Sequence, residues 1–242
     1  MQIFKFGGAS VKDAEGVRNL ANVLKSVGYK NTLIIVSAMG KTTNAMEKVV
    51  SNYFDAKHEL HSSVQEVKKF HNNILLDLFE NETHAVFENI DDLFQELLQF
   101  FDHNKSPNYN FVYDQVIGFG ELISTSIISH YLNHIGLSNS WLDVRNCIKT
   151  DDYYRNAKVH WNQTQELISK KVDTSKLNIT QGFIGSNSNN FTTTLGREGS
   201  DYTAAIFAFC LNAKSVTIWK DVPGVLNADP RYFKNAELLS RI

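Results

Sequence analysis

Three glycine-rich junctions hold most of the side chains able to do chemistry in this 242-residue chain. The first is Lys5-Phe6-Gly7-Gly8-Ala9-Ser10. Paired glycines let backbone amides approach an anion, and Lys5 brings an ammonium group to the same place. A tight turn beside a lysine whose stem lies on apolar surface reads equally well. The second is Ser37-Ala38-Met39-Gly40-Lys41-Thr42-Thr43-Asn44. It imitates a P-loop, but the glycine that motif needs five positions before Gly40 is replaced by Ile35. What remains is a run of small hydroxyl residues able to bind a polar ligand. The third is Thr194-Leu195-Gly196-Arg197-Glu198-Gly199-Ser200-Asp201-Tyr202. Here a strand runs into a helix N-terminus, whose free amides and partial positive charge suit an anion. Arg197 adds a bidentate clamp for carboxylate or phosphate. Asp201 reads either as a first-turn capping acid or as the group that orients a lysine.

Other candidates carry less. Glu121 follows Gly118-Phe119-Gly120 and is read at a helix start, as a cap or as a partner for a substrate ammonium. His130 and His134 stand four apart on one helix face and could share a metal, but no third ligand is evident in the sequence. The remaining histidines have no metal-ligand spacing.

These junctions need a sheet to hold them. Ile3–Phe6 is a short apolar strand, Ser10 is read as the cap of the following helix, and Val17, Leu20, Ala21, Leu24 and Val27 form that helix's apolar face. Thr32–Ser37 is a continuous apolar strand of the kind buried on both faces of a parallel sheet. Residues 44–104 are helical in period, with Phe87, Ile90, Phe94, Leu97 and Phe101 on one stripe, read as packing. Helices follow over Tyr113–Ile135, Trp161–Lys171 and Ser200–Leu211. Strands are expected over Asn139–Val144, Leu177–Ile184, Phe191–Leu195 and Ser215–Trp219. Alternating strands and helices predict α/β layers around a mostly parallel sheet.

Composition narrows the rest. The net charge is −2, from 24 basic and 26 acidic residues, so no basic footprint for nucleic acid exists. No apolar run reaches the roughly 18 residues that span a membrane, and MQIFKFGGAS has no signal-peptide core. Cys147 and Cys210 form no CxxC motif and read as reduced thiols of a cytoplasmic protein.

Taken together, the segments resemble the catalytic domain of the aspartate kinases, within the amino-acid kinase family. The resemblance lies in KFGGAS (Lys5–Ser10), VSAMGKTTN (Val36–Asn44), FGELIS (Phe119–Ser124), QGFIG (Gln181–Gly185), TTTLGREGSDYTAA (Thr192–Ala205) and WKDVPGVLNADPR (Trp219–Arg231). The last two blocks are the specific ones. The resemblance implies a three-layer α/β/α sandwich and transfer of phosphate from Mg-ATP to the side-chain carboxylate of L-aspartate. The product, 4-phospho-L-aspartate, is the first intermediate toward lysine, threonine and methionine. By the same resemblance Lys5 stabilises the transferring phosphoryl group and Asp201 holds Lys5. Gly7, Gly8, Ser10 and Ser37 contact phosphate, Arg197 clamps the α-carboxylate, and Glu121 pairs with the ammonium. Thr43, Phe183 and Ser200 line the acceptor pocket, while Asp221 and Arg231 border the nucleotide. No resident metal site is implied, and a homodimer is.

Four positions depart from the family's usual residues: Ala9 for Thr, Glu198 for Gly, Lys220 for Thr and Leu226 for Tyr. The family also continues past Ala236–Ile242 to a further lysine-bearing block and regulatory ACT domains. The whole chain, 1–242, is therefore expected to be an incomplete catalytic domain, weakly active or inactive by itself. Two rivals stay open. One is a kinase of another acceptor such as N-acetylglutamate, and the other is a non-catalytic binding or dimerisation module on the same fold.

Overall fold

A computed structural model describes residues 1–220, 222 and 224–240. Among these residues five parallel strands form the central sheet in the order β3-β4-β2-β1-β7. They are β1 (Gln2–Phe6), β2 (Thr32–Val36), β3 (Asn139–Leu142), β4 (Leu177–Gln181) and β7 (Ser215–Trp219). Between β4 and β7 an antiparallel hairpin, β5 (Ile184–Ser186) with β6 (Thr192–Thr194), stands apart from the sheet. The β2 strand, TLIIV, is buried throughout, as a strand covered on both faces must be.

Among the described residues seven helices flank the sheet: α1 (Ala14–Val27), α2 (Thr42–Asp55), α3 (Lys57–Leu78), α4 (Ala85–His103), α5 (Tyr109–His134), α6 (Trp161–Lys171) and α7 (Gly199–Cys210). Successive strand residues face opposite sides, which separates the helix layers. The Gln181 amide donates to Thr125 Oγ1 of α5 at 2.7 Å. Its neighbour Gly182 lies against α7, where a Cβ would come within 2.6 Å of the Ser200 side chain. So α5 covers one face, with α2, α3 and α4 packed outside it, and α7 with α6 covers the other. The expected helical stretch over residues 44–104 is three helices, and Phe94, Ile90 and Leu97 of its stripe are fully interior.

Three local readings of the sequence are corrected. Ser10 does not cap α1. It lies in a 3₁₀ turn, Gly8–Val11, and Asp13 makes the cap by accepting from the Gly16 amide at 2.8 Å. Glu121 is not at a helix start, because α5 begins at Tyr109, where Asn108 accepts from the amides of Asn110 and Phe111. The strand expected over Leu177–Ile184 breaks after Gln181, where Phe183 takes a left-handed φ of 72°. That turn frees β5 to pair with β6 and aims Phe183 at the N-terminus of α7.

Candidate functional site

All five sheet strands point the same way, so the loops after β1, β2, β4 and β7 gather at one edge. In open α/β sheets ligands bind at this carboxyl edge. A cavity of about 300 Å³ lies there. Lys5 and Ser37 come to it from the ends of β1 and β2, and Thr43 from the start of α2. Glu121 reaches it from the interior of α5, Phe183 from the turn after β4, and Gly196 to Asp201 from the entry into α7.

Lys5 is at a central position of the sheet, opposite Ile35 on β2 and Ile218 on β7. Its ammonium meets Asp201 Oδ1 at 2.7 Å, with 9% of the lysine side chain exposed. Asp201 is in the first turn of α7, and Lys220 Nζ stands 4.0 Å from its other oxygen. One carboxylate thus fixes the buried lysine and meets a second cation, half exposed, at the end of β7.

The Ser37 hydroxyl donates to Ser200 Oγ at 3.0 Å, joining the β2 loop to the α7 terminus. Behind it the Ser124 hydroxyl of α5 donates to the Ser37 carbonyl at 2.8 Å. Gly8 packs on the same loop. A Cβ there would lie 2.4 Å from the Ala38 carbonyl oxygen, so only glycine permits the Gly40 amide to reach the Gly8 carbonyl at 3.0 Å. Phe183 is held by its own amide, which donates to Thr203 Oγ1 at 3.0 Å.

Glu121 is the electrostatic anomaly of the cavity. It is buried, and Oε1 accepts the Ala38 amide at 3.2 Å. Oε2 is buried with no hydrogen-bond partner. Burial away from water pushes its carboxyl up to about 8, against a partial pull downward from the Ala38 amide. A cation bound beside Oε2 would satisfy the orphaned oxygen and restore the charge. Arg197, exposed at the rim, offers a guanidinium within the same cavity.

The structure therefore brings Lys5, Ser37, Thr43, Glu121, Phe183, Arg197, Ser200 and Asp201 together. Gly7 adjoins the Lys5 ammonium, 3.6 Å from where its Cβ would be, and Gly8 supports the Ser37 loop from behind. Ser10 does not line the cavity. Its hydroxyl turns to the Trp219 carbonyl at 3.5 Å. Arg231 also lies away from it, exposed and paired with Asp229 at 2.7 Å. Asp221 is outside the described residues.

Two features escaped the sequence reading, and a third, Glu198, was read there only as a departure from the family's usual glycine. Glu198 lines the cavity at a left-handed φ of 56°, as the residue before α7. Asp114 is a fully buried acid in the mostly apolar stretch Phe111–Ile117, and that setting was its one sequence signal. His84, at the start of α4, brings a third imidazole to His130 and His134, with ring centroids 5.7 and 5.6 Å away. No group of three or more His, Cys, Asp or Glu side chains able to hold a metal ion occurs among the described residues. No helix described is long and apolar enough to cross a membrane. Cys147 and Cys210 are free and buried.

Comparison with known proteins places this geometry among kinases. A model of the amino acid kinase family matches residues 1–242. The lysine-sensitive aspartokinase 3 of Escherichia coli is 32% identical over 252 residues, which cover 99% of this chain and 53% of that protein. A chloroplastic bifunctional aspartokinase/homoserine dehydrogenase 2 of Arabidopsis thaliana is 31% identical over 99% of this chain and 27% of its own length. The crystal structure of E. coli aspartokinase III in complex with aspartate and ADP (R-state) superposes with a TM-score of 0.88 at 30% identity. That match covers 99% of this chain and 53% of the other. The chain thus spans about a quarter to half the length of these relatives.

Proposed function

The chain belongs to the amino acid kinase family, and on that premise we propose that it transfers the γ-phosphoryl group of Mg-ATP to the β-carboxylate of L-aspartate. The observation that carries the choice of acceptor is the pairing of an orphaned, buried Glu121 oxygen with Arg197 in one cavity. A free α-amino acid has both an ammonium and an α-carboxylate to satisfy them. An N-acylated acceptor has no ammonium and would leave Glu121 unpaired, at a cost of about 1–3 kcal/mol. The similarity to aspartokinases of known structure supports the same acceptor.

The chemistry asks little of a base. The acceptor carboxylate is already ionised near neutral pH. One of its oxygens forms a bond to the γ-phosphorus while the bond from that phosphorus to the β,γ-bridging oxygen breaks, and ADP departs with the electron pair. No proton has to move. The obstacle is bringing an anion to a polyphosphate, so catalysis reduces to positioning and charge stabilisation. In this reading the Lys5 ammonium, held by Asp201 at 2.7 Å, lies against the transferring group and offsets its charge. Ser37 and the amides of the Gly7-Gly8 turn take phosphate oxygens. Glu121 takes the ammonium, Arg197 the α-carboxylate, and Thr43, Phe183 and Ser200 wall the acceptor. Magnesium enters with the nucleotide and helps neutralise its phosphates. The cavity, about 300 Å³ and open to solvent, has room for an amino acid and the terminal phosphate.

A coupled assay of ADP release by the 242-residue chain tests this directly. Turnover should depend on both L-aspartate and Mg-ATP. ADP release supported by N-acetylglutamate and not by aspartate would overturn the acceptor. Nucleotide binding with neither turnover on any amino acid nor calorimetric binding of L-aspartate would favour a non-catalytic module.

A further inference from the structure

Helix α5 carries two buried carboxylates on one face. Glu121 opens on the cavity. Asp114, two turns earlier, does not line it and is fully buried. Its Oδ1 and Oδ2 accept the Arg155 backbone amide at 3.1 and 3.0 Å. Oδ2 also accepts the Thr194 amide, and Oδ1 the Thr194 hydroxyl, both at 2.8 Å. A carboxylate taken out of water is costly, and here backbone amides and one hydroxyl offset that cost.

The two segments it grips flank the turn that carries Arg197. Thr194 ends β6, three positions before Arg197, and its carbonyl accepts the Ala157 amide at 3.0 Å. Arg155 takes a left-handed φ of 69°, which brings its carbonyl and the Asn156 side chain against Gly196. A Cβ at position 196 would lie 2.7 Å from Asn156 Oδ1. One buried acid therefore ties α5, the end of β6 and the 151–157 loop into one body. Glu121 rides on the first of these and Arg197 follows the second.

We propose that Asp114 is a positioning residue for the acceptor: it holds the Arg197 turn at a fixed place relative to Glu121, and so sets affinity for the α-amino acid without touching it. This rests on the aspartate kinase reading, because it assigns Glu121 and Arg197 to the two ends of one ligand. The nucleotide end draws on β1, β2 and Lys5, which Asp114 does not contact, so its effect falls on one ligand only.

Calorimetric titrations of the chain with L-aspartate and, separately, with Mg-ATP test it. Thr194→Val removes the hydroxyl donor and keeps the branched shape. Aspartate affinity should fall about tenfold, the scale of one hydrogen bond to a charged group. Mg-ATP affinity should stay within twofold, and Thr194→Ser should restore aspartate affinity. Asp114→Asn should weaken aspartate further. Should that variant not fold, the Thr194 pair still decides. Amide hydrogen exchange gives a readout free of ligand: residues 195–199 should exchange faster in Thr194→Val and regain protection in Thr194→Ser, with 116–134 unchanged. Equal loss for both ligands, or unaltered aspartate affinity in Thr194→Val, overturns the proposal. Failure of the unmodified chain to bind aspartate overturns the functional reading instead, and exchange then judges the tether alone: unchanged protection at 195–199 in Thr194→Val removes it.

Discussion

The cavity and the segment after β7 are built differently. The acceptor end is tied together by bonds between residues far apart in the chain: Ala38 to Glu121, Ser37 to Ser200, Phe183 to Thr203, Asp114 to Thr194. The segment after β7, which carries Arg231, is bonded within itself. Asn227 donates to the Glu237 carbonyl at 3.0 Å and Leu239 to that of Val225 at 2.8 Å, while Val225, Tyr232 and Phe233 stay exposed. Preorganised groups cost nothing to order when a ligand arrives, whereas a self-contained surface segment contributes little until something covers it. Recognition of the acceptor should therefore be built into the core, and the contribution of the 222–240 segment should be small in this chain.

Lys5 lines the cavity from β1, and its loss should have the largest effect. Lys5→Ala removes the buried cation that the proposed mechanism sets against the transferring group. Loss of such a preorganised charge costs about 10³-fold or more in kcat, roughly 4 kcal/mol. Stability should fall by no more than about 3 kcal/mol, because Asp201 keeps contact with water and with Lys220. Steady-state ADP release beside a thermal melt separates the two, and turnover within a few-fold of the unmodified chain would remove Lys5 from the mechanism. Next in size, Arg197→Ala and Glu121→Gln should each raise KM for aspartate by about 10–100-fold, the value of a charge-assisted hydrogen bond, and change KM for ATP little. A parallel rise in both constants would mean that the two ends are not separable.

The buried acids give the acceptor end a pH signature. Glu121, pushed up to about 8 from an ordinary 4.5, is protonated at neutral pH in the free protein. An ammonium placed beside it restores the carboxylate. Aspartate binding at pH 7 should then release close to one proton, seen as a binding enthalpy that varies with buffer ionisation enthalpy. Affinity should climb with pH up to about 8, by as much as tenfold per unit. Stability runs the other way. Between about 4.5 and 8 the folded chain holds a proton that the unfolded chain has lost, so stability is fully present below 4.5 and declines as pH rises through 8. Asp114, raised by burial to about 6 from 3.8, adds the same slope over the lower window. Glu121→Gln should abolish the proton release and flatten the upper window only. A flat affinity between pH 6 and 8 in the unmodified chain would contradict the assignment of Glu121 to the ammonium.

The same contrast explains what could be read in the sequence. Lys5, Arg197, Ser200 and Asp201 stand beside glycines at strand and helix ends, where punctuation in the sequence coincides with the carboxyl edge of the sheet. Glu121 was legible as a candidate and not as a position. Gly118 and Gly120 read as a helix boundary, yet they lie inside α5 because the helix is packed closely there. A Cβ on Gly120 would stand 3.1 Å from that of Ala38, and one on Gly118 2.9 Å from the Thr192 methyl. Glycine within a helix marked an approach between elements, which periodicity does not encode. Asp114 was illegible for another reason. Its donors, Arg155 and Thr194, lie 41 and 80 residues downstream, so only the assembled fold shows them. The break at Phe183 likewise depends on α7 arriving to receive its side chain.

The smallest expected effect belongs to Arg231, and it bears on the second half of the comparison. The family resemblance assigns this side chain to the nucleotide phosphates, but its guanidinium is exposed and engaged by Asp229 at 2.7 Å. That pair sits in water, where exposed ion pairs are strongly screened. Arg231→Ala should leave the thermal midpoint unchanged within error. Binding of Mg-ATP to this chain should weaken by no more than about threefold, since the guanidinium would have to leave Asp229 before serving a phosphate. Asp229→Ala sharpens the question by freeing Arg231 without removing it. If the acidic partner alone holds the guanidinium away, this variant should bind Mg-ATP as well as the unmodified chain or slightly better, most visibly at low ionic strength. A tenfold loss of Mg-ATP affinity in Arg231→Ala would instead mean that the segment carrying Arg231 is a working part of the site, and the contrast between a built cavity and a self-contained surface segment would not survive.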